Sequence, residues 1–433
     1  MKSRIEDKNS LVPKGWYIDV LKNTLKIPIT DGPHISPVFY ESGIPFVSAE
    51  AIKKGNIDFE KIRGYISEND YILFSQKYKP EMNDIYIVKS GASTGNSAIV
   101  KTNRIFTIWS PLAAIRANEA KIIPYFLFCL VNSYFFRRQI ESNWSYGTQQ
   151  NIGMGVLSNL NICIPKDTKE QQKIASIFTL LDNIIEQTEQ IIRKQQNIKS
   201  GLLHDLLTYG IDEQGNIRSP QTHKFVEKQG YFISEKWEVD SIENLFYLYS
   251  GATPSTTVEE YWNGEIVWIT PNDLNKIKHI YINNSERKIT SEGLNSCSAT
   301  IIPKNAIVMS SRAPIGYLAI STIPFATNQG CKSFCVKNEM RDIPEFFYFS
   351  LQFIMDKIKS LGTGTTFQEV SKTDLNSVML AYPSSKEEQK KISALILKQD
   401  KIIKEEDLKL EKLKNIKKGL MEDLLTGKKR VKF

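Results

Sequence analysis

Residues 165–208 read PKDTKEQQKIASIFTLLDNIIEQTEQIIRKQQNIKSGLLHDLLT, and residues 383–426 read PSSKEEQKKISALILKQDKIIKEEDLKLEKLKNIKKGLMEDLLT. Aligned without a gap at an offset of 218 residues, the two stretches are identical at 18 of 44 positions. The offset is far longer than the roughly 20–50 residues of a solenoid repeat. It therefore predicts a duplicated unit, in which each copy is a globular domain followed by one long segment.

Both long segments have the periodicity of a helix, with apolar residues at steps of three and four. Each stripe is narrow, and Lys and Glu occupy most other positions. We therefore expect the two helices to pack on each other; the alternative is two surface helices lying on separate domains. About 40 residues at 1.5 Å each would make rods of roughly 60 Å. The predicted contact residues are Ile174, Ile177, Leu181, Ile184, Ile191, Ile198 and Leu202 in the first helix, and Ile392, Leu395, Ile402, Leu413, Ile416 and Leu420 in the second.

Polar residues predict where the two helices begin. Thr168 with Gln171, and Ser385 with Glu388, have the spacing of a capping box, in which each side chain bonds the backbone N–H of the other residue. The first helix is accordingly predicted over residues 168–208.

Four glycines bear on the same helices. Gly210 and Gly427 follow the last apolar turn, where helices commonly end. Gly201 and Gly419 lie inside the helices at matching positions, where glycine costs about 1 kcal/mol relative to alanine. Close approach of another backbone would offset that cost; a tolerated kink is the alternative.

Length and composition predict an ordinary cytoplasmic protein without membrane contact. The 433 residues suffice for two or three domains, and 41% hydrophobic with 24% charged residues is typical of soluble proteins. The most apolar segment, IIPYFLFCLVNSYFF from Ile122, is too short to cross a membrane. Met1 is not followed by the apolar run of a signal peptide. Five cysteines without a CxxC pair suit reduced thiols and predict no zinc site.

The net charge of +8 is concentrated near the C-terminal end, because residues 386–433 carry 15 Lys and Arg against 9 Asp and Glu. The basic tail, residues 427–433, could contact phosphates. It could equally be a solvated helix end, where cations favour the negative end of the helix dipole. The modest charge elsewhere argues against tight binding of nucleic acid by this chain alone.

Seven segments follow from these patterns. They are a lead-in (1–15), a globular unit (16–165), a helix (166–208), a linker (209–236), a second globular unit (237–383), a second helix (384–426) and the basic tail (427–433). Each globular unit alternates short strands, Gly/Pro turns and one or two helices, which predicts an α/β (α+β) fold. IPFVSAEAI at Ile44 is similar to IVWITPNDL at Ile266, so the two units are related. Shared strands with different loops are typical of two modules that recognise different ligands.

The sequence contains no recognisable set of residues for catalysis, metal binding or cofactor binding. A phosphate-binding GxxxxGK[ST] loop is absent. There is also no Pro-Pro dipeptide, which the catalytic loop of amino-methyltransferases needs. PNDLNK at Pro271 lacks the acidic-x-Lys strand of a nuclease, and His34 has no evident Ser, Cys or metal-ligand companion. We expect a chain that is not an enzyme and needs no cofactor.

Strand-flanked loops of both globular units carry the remaining polar residues. Their side chains are of the types that contact base edges and phosphates: Arg binds guanine, Asn and Gln bind adenine, and Ser and Thr bind either. Each loop alone is a weak signal, since most Ser, Thr and Gly loops are merely turns. The candidate DNA-binding residues are Lys89, Ser90, Ser93, Thr94, Asn96, Tyr146, Thr148, Gln149, Gln150, Asn272, Ser310, Ser311, Arg312, Thr363, Thr365, Thr366 and Gln368.

The order of these segments resembles the specificity subunit of type I restriction-modification enzymes. The strings that carry the resemblance are ITDGPHISP, GIPFVSAEAI, SGATPS, IVWITPNDL, SSRAPIGYLAI and TNQGC, together with KEQQKIA and KEEQKKIS at the start of the helices. The resemblance extends from about Trp16 to Thr426. It implies two target-recognition domains, each reading one half of a split sequence in double-stranded DNA. It also implies that the two helices pair as an antiparallel coiled coil and act as a spacer.

Partners are implied as well: two methyltransferase subunits attached to the chain, with restriction subunits added beyond them. The chain itself would be a non-catalytic recognition subunit. The alternative from another class is a coiled-coil scaffold or tether whose globular domains bind protein. The differences between the two loop sets, and their DNA-type side chains, disfavour that alternative.

Overall fold

The computed structural model describes residues 12–53, 55–146, 150–277, 279–362 and 368–432. Its contacts divide the chain into two compact units. Unit 1 comprises Met1–Gln190 and Leu408–Phe433, and unit 2 comprises Ile191–Asp407. Each unit therefore contains one globular domain together with a part of both long helices.

The domain of unit 1 is built from short strands and four short helices in its described residues. The strands are β1 (Trp16–Val20), β2 (Thr30–Asp31), β3 (Ile44–Val47), β4 (Ile52–Lys53), β5 (Asn56–Ile57), β6 (Gly64–Ile66), β7 (Ile85–Val88), β8 (Ser97–Ile99), β9 (Thr107–Ile108), β10 (Leu112–Ile115), β11 (Ser145–Tyr146), β12 (Gln150–Asn151) and β13 (Asn161–Pro165). The short helices are α1 (Glu68–Ser75), α2 (Pro124–Val131), α3 (Tyr134–Ser142) and α4 (Met154–Ser158). The first long helix, α5 (Thr168–Thr208), follows.

Unit 2 repeats this composition. Its strands are β14 (Phe225–Lys228), β15 (Tyr231–Ser234), β16 (Trp237–Ser241), β17 (Phe246–Ser250), β18 (Trp262–Ile269), β19 (Tyr281–Ile282), β20 (Lys288–Ile289), β21 (Ile307–Ser310), β22 (Leu318–Ser321), β23 (Ala326–Thr327), β24 (Cys331–Val336) and β25 (Met379–Pro383). Its short helices are α6 (Ile242–Leu245), α7 (Pro271–Lys276), α8 (Ser291–Asn295), α9 (Pro344–Phe353), α10 (Met355–Ser360) and α11 (Lys372–Asn376). The second long helix is α12 (Lys386–Leu424).

Equivalent sheets organise the two domains. Unit 1 has a four-stranded sheet in the order β2-β10-β7-β8, a three-stranded sheet β6-β3-β9 and the pair β1-β13. Unit 2 has the matching orders β17-β24-β21-β22-β19, β20-β18-β23 and β16-β25. Trp237 faces Pro383 across the last pair, as Trp16 faces Pro165 in unit 1. This match confirms the prediction of two copies of one α/β (α+β) domain.

Continuous apolar runs in the sequence become the centre of each domain. All four residues of β7 (IYIV) and of β21 (IVMS) are buried, as expected for strands covered on both faces. The apolar segment around Ile122 forms α2, a buried core helix. In the ranges that the structure describes, no helix is both long enough and apolar enough to cross a membrane.

The helix α5 begins at Thr168 and ends at Thr208, as predicted. Its start belongs to the core of unit 1, where Phe178 is fully buried. Its end belongs to the core of unit 2, where Leu206 is fully buried. The helix α12 does the converse, because Ile392 is part of the core of unit 2 and the chain just after α12, at Leu425, is part of the core of unit 1.

Antiparallel pairing of α5 with α12 is confirmed inside each unit. In unit 1, Asp182 of α5 binds Lys417 of α12, and Lys414 Nζ lies 2.8 Å from Glu189 Oε1 further along α5. In unit 2, Lys199 Nζ lies 2.6 Å from Asp400 Oδ1, and Ile211 N, just beyond the end of α5, donates to Glu388 Oε1 near the start of α12 at 3.2 Å. In each unit the partner's number falls along α12 as the position rises along α5, which is the order of an antiparallel pair.

The predicted apolar stripe coincides only in part with the buried face of the helix pair. Ile174 and Ile392 are fully buried. Seven further predicted residues are half-buried: Ile177, Leu181, Ile184, Leu202, Ile402, Leu413 and Leu420. The remaining four, Ile191, Ile198, Leu395 and Ile416, are 38–44% exposed. Thr188, Ile192 and Gln399 are buried there instead. Polar residues thus form part of the seam, as where Gln399 Nε2 donates to Gln195 Oε1 at 2.8 Å.

The predicted capping boxes are wrong in detail. Lys169 N bonds Asp167 Oδ1 at 2.8 Å, so Asp167 caps α5, while the Gln171 side chain accepts from Ile123 N and donates to Pro165 O. At the second helix, Ser385 Oγ does accept from Glu388 N at 3.4 Å. The reciprocal bond is missing because tertiary partners occupy the carboxylate of Glu388.

Two of the four glycines behave as predicted. Gly210 and Gly427 have φ of +70° and +67°, the left-handed conformation that ends helices. The prediction of close backbone contact at Gly201 and Gly419 is wrong, because a Cβ placed on either would meet no described atom within 4 Å apart from the adjacent backbone of its own helix.

Residues 209–236, predicted as a linker, contain the hairpin of β14 and β15. The segment packs on unit 2, since Ile211 and Ile233 belong to its core. Arg218 is buried and bonds Glu388 with both terminal nitrogens, at 2.6 and 2.8 Å.

Candidate nucleic-acid interface

Backbone hydrogen bonds in unit 1 join two loops that are distant in sequence. Gly91 N donates to Gln150 O at 3.0 Å, and Ile152 N donates to Lys89 O at 2.8 Å. Between these bonds, Ser90 and Asn151 face each other as an antiparallel bridge. The structure thus brings the candidate loop after β7 against the candidate residues of β12.

These backbone hydrogen bonds form a short ladder, and an equivalent ladder occurs in unit 2. Ala313 N donates to Gln368 O at 3.1 Å, and Val370 N donates to Ser311 O at 2.9 Å. Here the facing residues are Arg312 and Glu369.

Both ladders occupy one position in the duplicated domain, because each begins where a central strand, β7 or β21, ends. Their facing side chains differ: Ser90 with Asn151 in unit 1, and Arg312 with Glu369 in unit 2. The two domains therefore present different chemistry on the same backbone arrangement.

A buried carboxylate, Asp31 at the end of β2, anchors the loop of unit 1. Its side chain is 1% exposed, with Lys77 Nζ 2.5 Å from Oδ1 and Lys89 Nζ 2.8 Å from Oδ2. Burial raises the pKa of Asp31, but the hydrogen bonds from the two lysines outweigh it and hold that pKa below its ordinary value. His34 Nε2 also lies 3.2 Å from Oδ2. Lys89, predicted to bind DNA, is thus paired inside the domain.

In unit 2 the charged residues beside the ladder lie at positions different from those of Asp31 and Lys89 in unit 1. Lys332 of β24 is 6% exposed, and its Nζ lies 3.3 Å from Glu369 Oε1. Arg312 Nε lies 2.8 Å from Glu369 Oε2, and the Arg312 side chain is 44% exposed. Burial raises the pKa of Glu369, but the hydrogen bonds from Arg312 and Lys332 outweigh it, so that pKa lies below its ordinary value.

Two candidate serines of unit 2 are shielded from solvent. Ser310 and Ser311 are fully buried, and Ser310 Oγ donates to Pro314 O at 2.8 Å, within the turn. Their side chains have no exposed surface to offer a base. The sequence shows that a hydroxyl is present but not toward which side of the strand end it points.

Local bonds also shape the polar turn of unit 1. Thr94 Oγ1 donates to Gly91 O at 2.6 Å and lies 3.2 Å from Gln150 O. Asn96 N donates to Ser93 O at 3.0 Å. Ser93, Thr94 and Asn96 are half-buried, so each keeps some surface at the loop.

Exposed amides complete the described candidates. Gln150 and Gln368 are exposed beside the two ladders. Asn272 is exposed on α7, where its Nδ2 donates to Glu286 Oε2 at 3.1 Å. The backbone of Tyr146 pairs with Gln150. The Tyr146 side chain and the candidates Thr148, Gln149, Thr363, Thr365 and Thr366 lie outside the described residues.

Four Asp, Glu and Lys residues of these clusters were not among the sequence candidates: Asp31, Lys77, Lys332 and Glu369. Lys332 did carry a signal, because a lysine inside the otherwise uncharged strand CKSFCV requires an anionic partner if that strand is buried. The other three had none, because their partners lie far away in the sequence.

Comparison with known proteins identifies the duplicated architecture. A family model described as the type I restriction modification DNA specificity domain matches the chain twice, over residues 26–195 and 234–415. The two matches together cover well over half of the chain, including both domains.

Individual relatives agree with the family model. The chain is 38% identical to the type I restriction enzyme MjaIX specificity subunit of Methanocaldococcus jannaschii over 184 residues, which is 42% of each chain. It is 26% identical to the putative MjaX specificity subunit of the same organism over 444 aligned positions, covering 97% of this chain and 95% of that one.

Solved structures show the same fold. The S subunit of the type I restriction-modification system of M. genitalium aligns with a TM-score of 0.57 at 16% identity, covering 95% of this chain and 96% of that chain. A chain from a structure of a type I R-M system aligns with a TM-score of 0.58 at 14% identity, over 96% and 98% of the two chains. The chain therefore belongs to the type I restriction-modification DNA specificity family.

Proposed function

We propose that this specificity subunit reads a bipartite target in double-stranded DNA, with one half read by each domain. The observation that carries the proposal is the pair of equivalent ladders, which hold two polar loops together while their facing side chains differ. A common backbone would fix the geometry of approach, and the variable side chains would select the bases. The chain supplies recognition, and its partner subunits supply the chemistry.

Exposed and buried residues around each ladder are proposed to have different roles. Exposed polar side chains, Gln150 in unit 1 and Arg312 and Gln368 in unit 2, are the proposed base contacts. Half-buried Lys89 and buried Lys332 hold the loops in place. The candidates outside the described residues adjoin the ladders in sequence and stay proposed DNA contacts.

The paired helices are proposed to set the distance between the two half-sites. The 41 residues of α5 at about 1.5 Å each span roughly 60 Å, against about 34–36 Å for one turn of the duplex. Helices of this length leave room for one turn between the two reading sites, with the remainder packed in the domain cores.

Methyltransferase subunits are proposed to dock on the helix pair. The four exposed apolar residues of the predicted stripe, Ile191, Ile198, Leu395 and Ile416, are the proposed contacts, because apolar side chains left uncovered on a helix commonly mark a partner surface. Since the chain is duplicated, two such subunits would bind, and restriction subunits would join beyond them.

Selection from a random pool of duplexes tests the proposal. The chain is assembled with the methyltransferase partner from the same cells, and the retained duplexes are sequenced. We expect one motif with two short defined halves separated by an undefined gap. A single continuous motif, or no sequence preference, would contradict bipartite reading. The absence of any DNA retention by the assembled complex would favour the scaffold alternative.

A further inference from the structure

We propose that Glu369 is a positioning residue, which aims Arg312 at a guanine in the half-site read by unit 2. The inference rests on the proposed function and names one base contact within it. Its basis is a row of three charged groups, in which Lys332 is buried, Glu369 lies between, and Arg312 is the most exposed.

The buried end of the row fixes the carboxylate. Lys332 is buried and faces Met309 across the central sheet. A buried ammonium group needs an anionic partner, and Glu369 Oε1 supplies it at 3.3 Å. Because Lys332 belongs to a central strand, Glu369 is held on a rigid part of the domain.

The exposed end of the row fixes the arginine. Glu369 Oε2 accepts from Arg312 Nε at 2.8 Å. The ladder bonds on either side, from Ala313 N and Val370 N, fix the two backbones that carry this pair. Arg312 is therefore restrained both at its backbone and at its Nε.

The two Nη atoms of Arg312 match one edge of guanine. The bond to Glu369 engages Nε of Arg312, and the arginine side chain is 44% exposed, so its two Nη atoms are positioned to bind a ligand. These atoms can donate two parallel bonds to guanine O6 and N7. A side chain that is already restrained loses less conformational freedom when it binds.

A phosphate is the less suitable ligand for this arginine. The carboxylate of Glu369 lies beside the guanidinium and would repel a phosphate, whereas the edge of a base carries no net charge. The matching bridge of unit 1, Ser90 with Asn151, has no such ion pair. The ion-paired arginine therefore acts on the half-site read by unit 2, and the half-site read by unit 1 serves as an internal reference.

The test uses the full chain assembled with its methyltransferase partner and a random pool of duplexes. The variants are Arg312→Ala, Glu369→Ala, Glu369→Gln and the double variant Arg312→Ala/Glu369→Ala. The control is Glu235→Ala, which removes an exposed ion pair with Lys224 in the same unit. Melting temperatures are recorded, and Glu369→Gln, which keeps an acceptor for Nε–H, decides the outcome if Glu369→Ala is unstable.

We expect Arg312→Ala to lose the preference for guanine at one position by roughly 5- to 150-fold, the equivalent of about 1–3 kcal/mol. Glu369→Ala should lose the preference at that same position, Glu369→Gln should retain part of it, and the double variant should lose no more than Arg312→Ala. The control and the other half-site should stay unchanged. Loss at a different position, equal weakening at all positions, or additive losses in the double variant would overturn the inference. If the unmodified complex selects a bipartite motif but Arg312→Ala alters no position, this inference fails alone; if the unmodified complex selects none, the proposed function fails.

Discussion

Arg430 and Glu170 form a two-bond ion pair in unit 1, with Nε 2.5 Å from Oε1 and Nη2 2.7 Å from Oε2. Arg218 and Glu388 form the same kind of pair in unit 2, at 2.6 and 2.8 Å. In each unit the arginine follows the end of one long helix, and the glutamate lies near the start of the other. The pair therefore ties both helices to one domain. Since Arg430 belongs to the basic tail, the protein itself engages part of that tail.

Burial of both glutamates predicts that both arginines stabilise their units. Arg218 and Glu388 are 5% and 8% exposed, and removing one partner of a buried pair costs about 3–5 kcal/mol. Arg430 is 43% exposed but Glu170 is only 1% exposed, so Arg430→Ala also leaves a buried carboxylate without its partner, at a smaller cost because solvent screens the arginine. We expect Arg218→Ala to lower the thermal unfolding temperature most and Arg430→Ala less. Lys236→Ala, which removes an exposed pair with Glu213, is the control and should have the smallest effect; equal shifts for all three would refute the assignment.

Open space beside two helical glycines predicts stabilising substitutions. Gly201→Ala and Gly419→Ala should each raise stability by about 1 kcal/mol, because alanine is the better helix former and its Cβ meets no described atom within 4 Å apart from the adjacent backbone of its own helix. Gly210→Ala is the matched control. It should destabilise, because its φ is +70° and a Cβ would lie 2.5 Å from Glu388 Oε1. Denaturant unfolding of the three variants checks this, and destabilisation by Gly201→Ala would contradict it.

The buried carboxylate of Asp31 predicts a pH-dependent contribution to stability. Because hydrogen bonds from Lys77 and Lys89 outweigh burial and lower its pKa, the carboxylate stabilises unit 1 fully above its ordinary pKa of 3.8. The contribution disappears as the pH falls through the lower pKa of the folded state. The gap in melting temperature between wild type and Asp31→Asn should therefore be large at pH 7 and shrink well below pH 4.

The fully exposed Asp356 provides the control for this experiment. Its replacement by Asn should give a small gap at every pH. A gap for Asp31→Asn that stays constant down to the most acidic pH tested would show that the ionised carboxylate is not what stabilises the loop.

Local features of the fold could be predicted from the sequence, whereas distant pairings could not. The helix α5 followed from apolar periodicity, and its bounds at Thr168 and Thr208 followed from polar residues at its start and a glycine after its end, all of which are signals from near neighbours. The surroundings of Gly201 depend on where the rest of the chain lies, which no local pattern reveals, and that prediction failed. The buried seam at Ile192 was missed for a related reason, because the sequence shows an apolar stripe but not the polar residues that share the interface.

The candidate site shows the same division. The loops were found because Ser, Thr, Asn and Arg cluster between strands. That Ser311 is buried and Arg312 exposed depends on the direction of the chain after β21, which a list of residue types does not contain. The ion pair of Arg312 with Glu369 joins residues on opposite sides of α9 and α10 in the sequence, so only the folded domain reveals it.

Lengthening both helices together tests their proposed role as a spacer. Seven residues inserted after Gln190 and seven after Asp407 fall at the boundaries between the units, so they leave the helix pairs inside each unit intact. Seven residues preserve the heptad phase and add about 10 Å of rise, or roughly three base pairs at 3.4 Å each. We expect a gap longer by about three base pairs between unchanged half-sites, or loss of activity. Full activity with an unchanged gap would show that the helices do not set the distance.

Replacing one domain tests most directly the claim that each domain reads one half of the target. Residues 16–165 are exchanged for the equivalent domain of a relative with a different target, while residues 237–383 are kept, and the motif methylated by the assembled complex is determined. Because the two ladders lie in separate units, the exchange should alter one half of the motif and leave the other half unchanged. A chimera that is active and alters both halves, or neither, would contradict the account.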